Sequence, residues 1–109
     1  MTEPRIGDLR HHIRLEEPVA LPDGGGGASV SYSLVAEIWA EVRPRDGREA
    51  GNGDGVAASQ THEVWMRWRP GVTSEMRFVL GTRVLDIHSV VDTGERRRWL
   101  KCLATERRP

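Results

Sequence analysis

Apolar and polar residues alternate along much of the chain, which is the pattern of half-buried β-strands. The alternation is clearest from Ser33 to Arg43, where every second residue from Leu34 to Val42 is apolar and Trp39 falls on the polar side. We predict further strands at residues 9–16, 60–69, 76–80, 83–91 and 97–104. About six strands at short spacing predict an all-β fold, either a small antiparallel β-barrel or a sandwich.

Glycine and proline residues mark the ends of these strands. Pro18 and Pro22, followed by the glycines at 24–27, are expected to interrupt the first strand and form a loop or hairpin tip. Gly81 and Thr82 predict a two-residue type II′ hairpin with glycine first. The basic tail at 105–109 is expected to fray.

A long loop is predicted between the second and third large strands. Residues 44–59 read PRDGREAGNGDGVAAS, with four glycines and almost no large apolar side chain. Loops longer than ~12–15 residues are uncommon in compact domains and are usually functional or disordered. We therefore expect a flexible segment with a functional role, within a single domain that spans residues 1–109.

The charge balance argues against a sequence-blind nucleic-acid binder. Sixteen basic residues face sixteen acidic ones, so the net charge is zero, whereas such binders usually carry a basic excess. The balance is uneven along the chain: residues 1–59 hold six basic and ten acidic side chains, and residues 60–109 hold ten and six. Fifteen of the basic residues are arginine, which is favoured at interfaces. A GC-rich genome is the alternative explanation for that bias.

No residue pattern indicates catalysis, a cofactor or a metal site. His11 and His12 are adjacent, so on a strand they point to opposite faces and cannot chelate one ion. Cys102 is the only cysteine and lies in an apolar strand, which predicts a buried, inert thiol. No apolar run approaches the ~20 residues of a membrane span. We therefore predict a non-enzymatic protein without a membrane partner, made in the cytoplasm.

Two tryptophans stand on faces otherwise occupied by charged residues. Trp39 and Trp65, with Arg67 and Arg69, are candidates for an interface with a subunit or partner. The alternative is that a bulge turns each tryptophan inward, or that each ring covers an arginine stem. A different function would follow if Trp65, Arg67, Arg69 and Trp99 formed one basic, aromatic face, as in an OB-like nucleic-acid-binding barrel.

Several segments occur in an order that resembles one known family. They are IGDLRH at 6–11 with Ile13, IWAEVRP at 38–44, GRE at 47–49, THEV at 61–64, MRWRPGV at 66–72, MR at 76–77, RVLDI at 83–87 with SV at 89–90, and RWL at 98–100. Single segments are weak signals, but their order and spacing resemble the phage head–tail adaptor family, also called head-closure or stopper proteins. The resemblance extends from about residue 6 to residue 103.

This resemblance implies a small β-barrel that assembles with copies of itself into a ring. The ring would lie at the neck of a phage, prophage or gene transfer agent particle, between a portal-bound adaptor ring and a tail terminator or tail protein. It would retain double-stranded DNA and later pass it through the channel without tight binding, after assembly in the bacterial cytoplasm. The oppositely charged halves of the chain are compatible with the heterologous contacts of a ring.

The resemblance also implies a role for the long loop, because some members close the channel with the corresponding segment. The candidates for channel-facing or gating residues are Arg45, Asp46, Arg48, Glu49, Asn52 and Asp54. Many relatives are richer in helix-forming residues at this place. The glycine-rich sequence here favours a mobile loop.

Overall fold

The computed structural model describes residues 3–22, 24, 28–45 and 60–107, and these form one closed barrel of six antiparallel strands. The predicted all-β fold is therefore confirmed. The strands are β1 (His11–Pro22), β2 (Ala28–Pro44), β3 (Gln60–Arg67), β4 (Arg77–Leu80), β5 (Arg83–Asp92) and β6 (Trp99–Glu106). Around the barrel they follow the order β1-β2-β3-β6-β5-β4. No described helix is long and apolar enough to cross a membrane.

The barrel interior is filled by one face of each strand, as the alternation predicts. Ile13 and Leu15 of β1 meet Phe78 of β4, Leu85 of β5 and Met66 of β3, all with at most 2% of their surface exposed. Fully burying an aliphatic or aromatic side chain of this size contributes about 1.5–3 kcal/mol. The described core is therefore built from all the strands that pair in the barrel.

The first hairpin is longer than its prolines suggested. β1 continues through Pro18 to Pro22, so the expectation that these residues interrupt the strand is wrong. β1 pairs with β4 only at residues 14–16, and beyond Glu16 the described residues of β1 pair with β2 alone. A strand that has a partner on one side tolerates proline, because the missing N–H can face away from that partner.

A two-stranded arm results from this pairing. We call residues 17–22 and 28–33 the arm, since they pair with each other and, among the described residues, with no third strand. Val30 and Leu34, at the arm and its base, are 62% and 52% exposed. Leu34 belongs to the strand face that the alternation assigns to the core, but the register of β2 against β1 shifts between Ala36 and Leu34. This bulge moves Leu34 to the opposite face, and Val35 packs against the core in its place.

A β-bulge corrects the predicted face of β5. Strict alternation places Leu85, Ile87 and Val91 on one side. The register of β5 against β6 shifts between Ile87 and Ser89, and one extra residue moves the following side chains to the opposite face. Val90 therefore packs against the core and Val91 is 45% exposed.

The predicted turn at Gly81 and Thr82 is present, whereas the predicted fraying of the C-terminus is not observed in its described part. Gly81 has a φ of +63° whereas Thr82 keeps a negative φ, as a type II′ turn between β4 and β5 requires. β6 continues to Glu106, and the Arg107 N–H donates to the Val84 carbonyl at 2.8 Å. Fraying from residue 105 is therefore wrong, because β3 and β5 pair with β6 up to Glu106. Residues 108 and 109 lie outside the described residues.

Candidate functional site

Trp39 is a large exposed aromatic side chain on β2. It lies directly opposite His12 of β1, and the two rings stack with centroids 4.7 Å apart. The indole is 56% exposed, on the polar side of the strand as the alternation predicts. The stacking restricts the ring without burying it, so Trp39 is an ordered, exposed apolar surface.

The pairing of β2 with β3 ends beside this tryptophan. Ala40 opposite Met66 is the last pair, and beyond it the two strands separate. The separation leaves an open cavity of about 280 Å³, which we call the tryptophan notch. Its lining residues are Leu9, Ile38, Trp39, Met66, Arg67, Trp68 and Arg69.

Three of the four predicted interface residues therefore meet in one place, namely Trp39, Arg67 and Arg69. Sequence reasoning missed Trp68, which continues the alternation of β3 as a core residue. β3 ends at Arg67, so Trp68 lies past the ladder and half-buried at the notch. The position of Trp68 at the notch follows from the end of β3, and Pro70 is the only residue nearby that indicates this end in the sequence.

Trp65 has a different environment from Trp39. It is 2% exposed, and its Nε1–H donates to Glu63 Oε1 at 3.1 Å. The Arg43 guanidinium and the Lys101 ammonium lie 5.2 and 5.8 Å from the ring centroid. Of the two alternatives for Trp65, the structure thus favours a ring covered by charged side chains, which pack their stems on it.

Burial also removes the aromatic rings that the predicted nucleic-acid-binding face would need for stacking on bases. Trp65 and Trp99 are 2% and 8% exposed, so neither ring is available for a base to stack on. Arg67 is exposed and Arg69 half-buried, but both lie at the tryptophan notch. The four residues therefore do not form the basic, aromatic face that the OB-like alternative requires.

The predicted gating loop lies almost entirely outside the described residues. This holds for Asp46, Arg48, Glu49, Asn52 and Asp54. Arg45 is described: its N–H donates to the Thr61 carbonyl at 2.9 Å, and its Nε lies 3.8 Å from Glu63 Oε2. Arg45 is thus held against β3 at the root of the loop.

A second cavity adjoins the tryptophan notch. It has a volume of about 510 Å³, and four arginines line it: Arg5, Arg67, Arg97 and Arg98. We call it the arginine pocket; Glu3 and Trp68 also line it. Three of its four arginines are far apart in the sequence, so only the closed barrel brings them together.

The buried titratable groups do not form a catalytic arrangement. The Cys102 thiol is buried, as predicted, and burial raises its pKa to about 12, which keeps it protonated. Burial also lowers the pKa of His62, and Glu106, 3.7 Å away, opposes that shift. Within the described part of the chain, no three His, Cys, Asp or Glu side chains are placed to hold a metal ion.

Comparison with known proteins identifies the family. Residues 4–107 match the family of phage head completion proteins, which is nearly the whole chain. This chain belongs to that family. A head completion protein is a structural component of a viral particle, so the protein is not an enzyme.

Two solved structures share the fold of this head completion protein. One is a chain in the virion of a native gene transfer agent particle, with 28% identity and a TM-score of 0.76. The match covers 98% of this chain and 100% of that chain. The other is protein SF1141 from Shigella flexneri 2a, with 23% identity, a TM-score of 0.68 and coverage of 94% and 96%, which shows the fold alone. No curated protein sequence matches the chain.

Proposed function

We propose that this head completion protein is a connector subunit that forms a ring at the particle neck. The ring joins the portal-bound adaptor to the tail, retains packaged DNA and then passes it through its channel. The observation that carries the proposal is the likeness to a chain of a gene transfer agent virion over the full length of both chains. Membership of the head completion family supports the same role.

The surfaces of the barrel are suited to contacts between copies. The arm is a two-stranded hairpin, a structure that is marginally stable in water unless it packs against something. Leu21 and Val30 of the arm are exposed, and the tryptophan notch offers a separate apolar surface rimmed by Arg67 and Arg69. Contacts between two different surfaces are heterologous, and such contacts form a ring when the rotation that relates the subunits closes. We assign Trp39, Arg67 and Arg69 to such a contact.

The loop at 44–59 is proposed to face the channel. β2 and β3 hold its two ends side by side, through the pair of Pro44 with His62 and the bond from Arg45 to Thr61. Its Arg48 is balanced by nearby acidic residues, which agrees with DNA passing through without tight binding.

Deleting the gene tests the proposed role. We expect heads that lack tails and have lost DNA, measured by electron microscopy and by nuclease-protected DNA per head. Complementation with the wild-type gene restores both. Tailed particles with full DNA content in the deletion strain would contradict the proposal.

A further inference from the structure

The arginine pocket groups four of the seven described arginines that form no ion pair with a described residue; Arg10, Arg69 and Arg96 are the other three. Six arginines elsewhere each lie within 4 Å of a carboxylate: Arg14, Arg43, Arg45, Arg77, Arg83 and Arg107. The four pocket arginines form no ion pair with any described residue. Glu3, the one acidic residue of the lining, accepts a hydrogen bond from the Thr93 hydroxyl at 3.2 Å. The described lining of the pocket therefore holds four guanidinium charges against the single carboxylate of Glu3, a net positive charge.

The backbone around the pocket is fixed although its guanidinium groups are not paired. Both carboxylate oxygens of Asp92 accept from the Arg97 N–H, at 3.1 and 3.3 Å. The Trp68 N–H donates to the Arg98 carbonyl at 3.1 Å, and the Arg97 guanidinium lies 5.5 Å from the centroid of the Trp68 ring. The walls are thus formed before any ligand arrives, which lowers the cost of binding.

The N-terminal segment completes the pocket in the same way. The Arg5 N–H donates to Asp8 Oδ2 at 2.9 Å, and the Asp8 N–H returns a bond to the Arg5 carbonyl at 2.8 Å. This reciprocal pair anchors the turn at Ile6–Asp8 and leaves the Arg5 side chain exposed.

The shape of the pocket selects among anionic ligands. Arginine binds both carboxylates and phosphates through its planar fork of donors. Duplex DNA is a convex rod that contacts a broad protein surface, about 1,000–2,500 Å² in specific complexes. A concave pocket of about 510 Å³ instead has the size of a site that encloses a narrow ligand.

The tryptophan notch beside the arginine pocket favours a ligand that also carries an apolar side chain. Arg67 and Trp68 line both cavities, so a ligand that leaves the arginine pocket on their side enters the tryptophan notch beside Ile38 and Trp39. We propose that the arginine pocket binds an extended acidic segment of a neighbouring protein, with several carboxylates in the pocket and an apolar side chain in the notch. Arg67 and the tryptophan notch are also assigned above to the contact between copies, and binding of a peptide to the isolated chain tests this site whether or not a ring forms.

Calorimetric titration of the full chain tests this site with a synthetic peptide of four glutamates followed by two leucines. The matched peptide has four glutamines in place of the glutamates. We expect the acidic peptide alone to bind. Arg67→Gln and Arg98→Gln should each weaken it about tenfold, because each removes charge-assisted hydrogen bonds. Arg98→Lys, which keeps the charge and loses the fork, should fall between Arg98→Gln and wild type.

Arg10→Gln is the control, since Arg10 is exposed and lies outside the pocket lining. It should change the affinity less than twofold. Equal binding of the two peptides would overturn the proposal, as would an equal loss in Arg10→Gln. Tighter binding of a short DNA duplex at the same salt concentration, abolished by Arg67→Gln and Arg98→Gln, would also overturn it and identify the pocket as a phosphate site. Far-UV circular dichroism checks that each variant is folded.

Discussion

Glu16 joins the base of the arm to the barrel, and its substitution should destabilise the protein strongly. Its carboxylate is 10% exposed and accepts from Arg77 Nε at 2.8 Å, while Arg14 Nη2 lies 3.3 Å from its other oxygen. Arg77 in turn packs its guanidinium 3.7 Å from the centroid of the Tyr32 ring on the arm. One buried carboxylate thus organises β1, β4 and the arm where they meet.

Glu16→Gln keeps the shape of the side chain and removes its charge. Removing one partner of a fully buried ion pair costs about 3–5 kcal/mol. Arg77 is 20% exposed and keeps its contact with Tyr32, so we expect the lower value of about 2–3 kcal/mol. For a domain of this size, each kcal/mol lowers Tm by about 4 °C or more, which gives a fall of roughly 10 °C.

Urea unfolding, followed by circular dichroism, measures this loss as a shift of the midpoint at constant slope. Glu41→Gln is the matched control. The Arg43–Glu41 pair has the same N–O distance of 2.8 Å, but its side chains are 27% and 25% exposed, and such pairs contribute about 0–1 kcal/mol. If Glu16→Gln and Glu41→Gln lose the same stability, burial does not set the strength of the Glu16 pair and the reasoning fails.

Three further predictions follow from the site and the loop. Trp39→Ala should change the free energy of unfolding by less than about 1 kcal/mol and yet prevent assembly into particles, whereas Trp65→Ala should lower that free energy by about 3–5 kcal/mol. Thermal unfolding and particle yield distinguish the two variants. A large loss of stability in Trp39→Ala would argue against the exposed position of Trp39. Burial lowers the pKa of His62, so the unfolded chain binds the proton more tightly and the free energy of unfolding should fall as the pH drops below about 6.5. His62→Gln should therefore reduce the difference between the urea midpoints measured at about pH 7.5 and 5.5. An undiminished difference would assign the pH dependence to other groups. Deleting residues 46–57 should leave Tm nearly unchanged, because this segment has almost no large apolar side chain to contribute to a core, while the particles leak DNA or fail to join tails. Full DNA retention would refute a gating role.

Much of the fold follows from local patterns, but its exceptions do not. Alternation predicts which strands exist, because one face of each strand packs into the barrel. The bulge after Ile87 is invisible to that pattern, since it depends on how β5 aligns with β6. The length of the first hairpin was missed for a similar reason: Pro18 is compatible with a strand that has one partner, and the number of partners is a property of the whole sheet.

The site was predictable only in part, because its residues come from distant strands. Trp39 is exposed, as its place on the polar side of β2 suggests. Trp65 has the same kind of sequence environment and is buried, because Arg43 of β2 and Lys101 of β6 flank it across the sheet. The arginine pocket needs the closure of the barrel to place Arg5 beside residues 67, 97 and 98, and no spacing along the chain indicates that.

The most direct measurement of the proposed role is a cryo-electron microscopy reconstruction of the particle neck. We predict a closed ring of copies of this barrel between the portal-bound adaptor and the first tail protein, with the tryptophan notch in a contact and the loop at 44–59 directed toward the channel. A neck without density for the barrel, or a single copy attached outside the channel, would contradict it.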